Sequence, residues 1–234
     1  MPVESRNAGD EAEPLTGRAA AKALARARLI STAERLFADC GLEAVSLRQI
    51  AIDAGQRNNF AVQYHFGSRA GLIQAVFDSR MIEMEPIRAR MLESAEQAGS
   101  IRDLHTLLRI VYLPQLELRD TGLRHSYAGF LAQYLLRHQS TRFGEFSGST
   151  PPHLARTLEL LREGTLHLSE AVAQRRLIAC SLMFVHLMLQ HVDAEWRNHS
   201  GEDLATGVVD TIDQIARCLS APPLAVQEEN VSSM

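Results

Sequence analysis

An all-α fold is predicted from three observations. Apolar residues recur at helical spacing in the long segments, no period-two strand pattern competes with them, and glycine or proline separates the periodic runs. The 234 residues, 46% hydrophobic and 22% charged, can bury a real core, which excludes a disordered tail protein or a disulfide-stapled miniprotein.

The first helix is carried by Leu29, Ala33, Leu36, Phe37 and Cys40, which fall at i, i+4, i+7, i+8 and i+11, with Gly41 as its stop. Ser46-Leu47-Arg48-Gln49 reads as a capping box opening a second, short helix that buries Leu47, Ile50, Ala51 and Ala54 and ends at Gly55. The segment GQRNNFAVQYHFGSR then holds a third helix, expected over residues 58–64, with Val62 turned to the first two helices and Asn59, Phe60, Ala61 and Gln63 projecting elsewhere. Amides pair with adenine edges, aromatic and methyl groups pack on thymine methyls, and Tyr and His donate to phosphate. Such a helix suits the major groove, and two short helices about a glycine turn form a helix-turn-helix. The competing reading places Phe60, Tyr64 and Phe66 in an inter-helix corner, and Phe66, just before Gly67, fits it.

Charge is unevenly distributed. The whole chain is at −4, yet residues 18–75 carry eight basic against four acidic groups, and Arg18, Lys22, Arg26 and Arg28 precede any acid in that block. This basic arm either meets phosphates or is a solvated helix face. Residues 1–17 are acidic and, with the tail 221–234, are expected to be disordered.

Residues 22–77, through RLISTAERLFADCGLEAVSLRQIAIDAG and VQYHFGSRAGLIQAVF, resemble the DNA-binding domain of the TetR family of transcriptional repressors. The combination of A..LF...G, S.R.IA..AG and YHFGS at these spacings carries the likeness. It implies a homodimeric, all-helical repressor with a DNA-binding domain over 18–67 and an effector-binding and dimerisation domain over 68–220. It also implies base contacts from Arg48, Asn59, Phe60, Ala61 and Gln63, and backbone contacts from Ser46, Tyr64, His65 and Arg69. His65 reads equally as a satisfied corner histidine. Two departures stand out: the stretch between Gly55 and Tyr64 is one residue longer than the family's commonest spacing, and Gln63 occupies a position that is often Tyr.

Beyond Ser68 helical patterns cover 68–98, interrupted by Pro86 as a kink or new start, then 101–113, 123–138, 152–163, 170–199 and 202–219. The loop 139–152, rich in Gly, Ser and Pro, is a connector or a lid. The run Leu177 to Val192 is apolar nearly all round, and Leu204, Val208, Ile212, Ile215 and Leu219 form a seam, so the last two helices are expected to pair two copies, unless both serve one monomer's core. An effector pocket is expected between the middle helices, lined by Tyr112, Leu116, Tyr127, Phe130 and Tyr134 with Met183 and His186 facing them, for a small, largely apolar effector. A stripe of this kind also serves as ordinary core.

Enzyme motifs such as GxSxG, HExxH, GxGxxG or a P-loop are absent from the sequence, no metal or cofactor is expected, and Cys40, Cys180 and Cys218 read as buried thiols without a CxxC. Leu177 to Leu189 is broken by Ser181 and His186, and the N-terminus has no apolar h-region, so a cytoplasmic, membrane-free protein is expected. Its partners are then double-stranded DNA, a second copy and an effector. The other class is a helical scaffold or protein-binding module whose basic arm meets an acidic partner.

Overall fold

The stripe beginning at Leu29 belongs to a longer helix, α1 (Gly17–Cys40), in a computed structural model that describes residues 17–118, 125–138, 143, 150–192 and 201–223. Leu29, Ala33, Leu36 and Phe37 are buried as their spacing requires, whereas Cys40 is exposed. Residues 18–28, with the basic arm, are continuous with this helix.

The other helices are α2 (Leu47–Asp53), α3 (Ala61–Phe66), α4 (Arg69–Gln97), α5 (Leu104–Tyr112), α6 (Pro114–Glu117), α7 (Ser126–Arg137), α8 (Pro152–Gly164), α9 (Glu170–Gln190) and α10 (Leu204–Ser220). All regular structure among the described residues is helical, so the fold is all-α. Aspartate or serine caps open several helices: Asp103, Ser169 and Asp203 each accept from a backbone N–H three residues on. Pro86 lies inside α4, which continues through it to Gln97.

The expected acidic N-terminal tail up to residue 16, most of the loop 139–152, the stretch 193–199 of the long apolar helix and the tail from 224 lie outside the described residues.

One continuous core joins the halves of the chain. α1 lies along α7 and α4, α9 packs on α7 and α10, and α5 runs against α8 and α10. At its centre Phe37 of α1, Phe77 of α4 and Phe130 of α7 meet, with Phe77 and Phe130 ring centroids 4.8 Å apart and Tyr134 edge-on to Phe77.

Val208, Ile212, Ile215 and Leu219 of the last helix are buried within this one chain, against α9 and α5. α9 is long enough and, at a mean hydropathy of 1.4, apolar enough to cross a membrane. Its Cys180, Phe184, Val185 and Met188 are buried instead in this core. Burial pushes the Cys180 thiol up to about 12.

The approach of α7 to α1 depends on Gly129. A Cβ there would stand 2.8 Å from the Cβ of Ala38, closer than carbon atoms tolerate. Gly129→Ala is expected to destabilise the chain by about 1–3 kcal/mol in denaturant unfolding, and Ala38→Gly added to it should recover part of the loss. Additive losses would show that this contact is not the constraint.

Candidate nucleic-acid interface

The α2–α3 pair begins as its capping residues dictate. Ser46 Oγ accepts from Gln49 N at 3.0 Å, the first half of the expected capping box. The reciprocal half is not formed: Gln49 Nε2 donates to Asp53 Oδ1 at 2.5 Å, one turn along, and so holds the acidic group of α2.

α3 starts later than residue 58. Asn58 Oδ1 accepts from Phe60 N at 2.9 Å and Asn58 O from Ala61 N at 3.0 Å, so the asparagine completes a local turn that competes with the helix. Residues 58–61 thus form a turn ahead of α3, and Asn59 sits at its tip.

This shift of frame corrects one base-contact candidate. Ala61, like Val62, is buried against the core, so it offers no methyl to a base. Asn59, Gln63 and Arg48 are exposed, as is Ser46. Phe60 is 75% exposed and Tyr64 69%, which places both outside the inter-helix corner, whereas Phe66 packs partly against the core.

Arg69 is the second correction. Its Nη1 donates to Leu42 O at 2.5 Å and its Nη2 to Val45 O at 2.7 Å, while the guanidinium lies 6.0 Å from the centroid of Phe37. The fork is committed to the carbonyls of the α1–α2 connection and clamps it onto α4, because those carbonyls have no helical partner. Both terminal nitrogens of the fork, expected on phosphate, are engaged inside the chain. Close by, the start of α4 admits only glycine at 71, where a Cβ would fall 2.1 Å from Phe66 O.

The basic arm lies against α3. Lys22 and Arg26, one turn apart on α1, place their cations 5.4 Å from the Tyr64 ring centroid and 5.1 Å from that of Phe66. Both side chains are exposed, as is Arg57 in the α2–α3 turn. Their i, i+4 spacing was present in the sequence, but only the fold puts them beside α3. Residues 54–77 hold no acid, so the face formed by the α1 arm, the turn and α3 is positive and aromatic. His65 is half-buried, and burial, aided by Lys22 and Arg26, holds its pKa below the ordinary 6.5.

The effector candidates divide. Tyr112 and Tyr127 are buried and line one small cavity. Phe130 is fully buried in the aromatic core, Tyr134 stacks on His138 at 4.2 Å, and Leu116 packs partly against the core without reaching that cavity. Met183 and His186 are exposed on α9, because Phe184, Val185 and Met188 take its inner face, so they do not face the tyrosines. Among the described residues no group of three or more His, Cys, Asp or Glu side chains is placed to hold a metal ion.

Compared with protein-family models and with curated proteins, the chain matches none.

Two outcomes follow from this geometry. Arg69→Met should cost at least about 1.5–3 kcal/mol of unfolding free energy, since it strips charge-assisted partners from two carbonyls; a loss under half of that would refute the clamp. The lowered His65 pKa means that the folded chain binds fewer protons than the unfolded one, so wild-type stability falls as pH drops through and below 6.5. His65→Gln should remove that part of the pH dependence in urea unfolding, and an unchanged profile would contradict it.

Proposed function

We propose that the chain is a sequence-selective, ligand-responsive DNA-binding regulator of the TetR type, a repressor that binds a near-palindromic operator as a dimer and releases it with a small effector. The observation that carries this reading is the exposed face of α3 and its turn. Asn59, Phe60, Gln63 and Tyr64 stand in solvent together, with Arg48 exposed on α2 and the cations of Lys22 and Arg26 alongside. Amides and aromatics of this kind read base edges and thymine methyls, and a flanking row of cations binds phosphates whatever the sequence.

A six-residue α3 spans too little of the groove for much discrimination by itself. Two copies with recognition helices about 34–36 Å apart would read two half-sites on one face of the duplex. Because the buried side of α10 is spent on the chain's own core, the pairing face is assigned to the outward side of α9 and α10, where Met183, His186 and Val209 are exposed. Effector binding releases DNA by favouring the state in which the two α3 helices no longer match that spacing.

Selection from a random duplex pool, followed by titration at several salt concentrations, tests the reading. One enriched, two-fold-related sequence bound with steep salt dependence is expected. Asn59→Ala and Gln63→Ala should relax discrimination at particular base pairs by about 1–3 kcal/mol. Lys22→Ala and Arg26→Ala should weaken all duplexes alike, each lowering the salt slope by about one unit, while Arg69→Met leaves the slope unchanged. No binding to any duplex at low salt would overturn the proposal in favour of a helical protein-binding module.

A further inference from the structure

The buried face of α4 carries a charge that the fold does not satisfy. Arg88 is 2% exposed, yet among the described residues its Nε and Nη1 have no hydrogen-bond partner, and its Nη2 meets only the thioether of Met84 at 3.5 Å. Glu85 offers charge but no hydrogen bond, its Oε2 standing 3.9 Å from Arg88 Nη1. The other oxygen, Oε1, is held at the start of α8, accepting from His153 N at 2.6 Å with His153 Nδ1 at 2.9 Å. Proteins seldom leave a buried guanidinium without acceptors, because its desolvation is then uncompensated.

This guanidinium lines a cavity. About 40 Å³ lies between α4, α5, α6, α7, α8 and α9, bounded by Met81, Met84, Arg88, Gln115, Tyr127 and Leu154. Gln115 Oε1, on the same wall, also has no partner among the described residues. The space has room for a group of about three heavy atoms. Leu158 and Phe143 bound both this cavity and a larger cleft of about 370 Å³ between α8 and α9, lined by such residues as Leu161, Leu168 and Leu177. A charged, close-fitting seat thus adjoins a mainly apolar one.

We propose that this cavity seats the carboxylate of an aliphatic acid on Arg88, with the acid's chain directed past Leu158 toward the cleft between α8 and α9. A carboxylate supplies both things that Arg88 lacks, hydrogen-bond acceptors for its unmatched N–H groups and a compensating charge at hydrogen-bond distance. A neutral carbonyl supplies the first only. The thioethers of Met81 and Met84, unbranched and adaptable, allow the wall to settle around the entering group. This names the chemical class of the effector in the function proposed above and rests on that reading for its consequence, but not for binding itself.

Calorimetric titration of the full chain, without DNA, tests the seat with butanoate, hexanoate and octanoate and with the matching primary amides. The acids are expected to bind more tightly as the chain lengthens, and octanoate about tenfold or more tightly than octanamide. Arg88→Met should abolish that preference and Arg88→Lys retain part of it. Equal binding of acid and amide, no acid binding at millimolar concentration, or an undiminished preference in a folded Arg88→Met chain would each overturn the proposal. The acid-to-amide ratio of the wild type decides it even if Arg88→Met does not fold. Acid binding that leaves DNA affinity unchanged would uphold the seat and tell instead against the effector part of the function.

Discussion

A buried ion pair fixes how three helices of the core, α1, α4 and α7, meet. Glu34 of α1, 1% exposed, receives Arg80 of α4 in two parallel bonds, Nε to Oε2 at 2.6 Å and Nη2 to Oε1 at 2.7 Å, and Ser126 of α7 donates to the same carboxylate. Arg80 also reaches Glu83 at 2.6 Å. Burial alone would lower the guanidinium's pKa, but the bonds and charges of Glu34 and Glu83 outweigh it and hold the pKa above its ordinary value. An apolar trio of similar volume would be about as stable, whereas loss of one partner costs about 3–5 kcal/mol. What the pair specifies is register: α1, α4 and α7 satisfy these atoms in one arrangement only, and the Gly129–Ala38 contact closes the space beside it.

α4 extends that constraint along the molecule. It presents Arg69 to the α1–α2 connection at one end, Arg80 to Glu34 in the middle and Arg88 to the cavity beyond. Nineteen positions separate Arg69 from Arg88, about 28 Å of helix at 1.5 Å per residue. The three arginines meet different fates: backbone carbonyls, a carboxylate and an unfilled cavity wall. One rigid element therefore carries both the support for the exposed α3 face and the unsatisfied group of the interior. The cavity beside Arg88 is walled by the same helix that bonds to α1 and to the α1–α2 connection.

The helices were legible because periodicity reports burial directly. Leu29, Ala33 and Phe37, or Ile50 and Ala51, turned inward as their spacing required, and Ser46 capped where its hydroxyl was expected. What spacing could not resolve was partner choice. The α10 seam is equally suited to a neighbouring helix or a second chain, and the structure gives it to α9 and α5. Tyr127, Phe130 and Tyr134 share one helical pattern, but of these only Tyr127 reaches the cavity, where Tyr112 of α5 joins it, since cavity position depends on six helices at once. Arg88 was invisible for the same reason: an arginine in a helical segment signals a solvated face unless its neighbours in space are known. Arg69 shows the complementary case, a cation beside the exposed helix whose reach is taken by two carbonyls 24 and 27 residues upstream.

The frame of α3 decides which side chains remain for recognition. A helix beginning at residue 58 would have carried Ala61 outward. The Asn58 turn delays the start to Ala61 and buries that methyl with Val62, leaving Asn59 and Phe60 on the turn and Gln63 and Tyr64 on the helix. Two of the four exposed groups thus belong to backbone held by a side-chain turn, not by helical hydrogen bonds. Their position depends on the Asn58 carboxamide in the way that the position of α3 itself depends on the missing side chain at Gly71. Geometry at the exposed face thus rests on a side-chain turn within it and on packing at the start of α4.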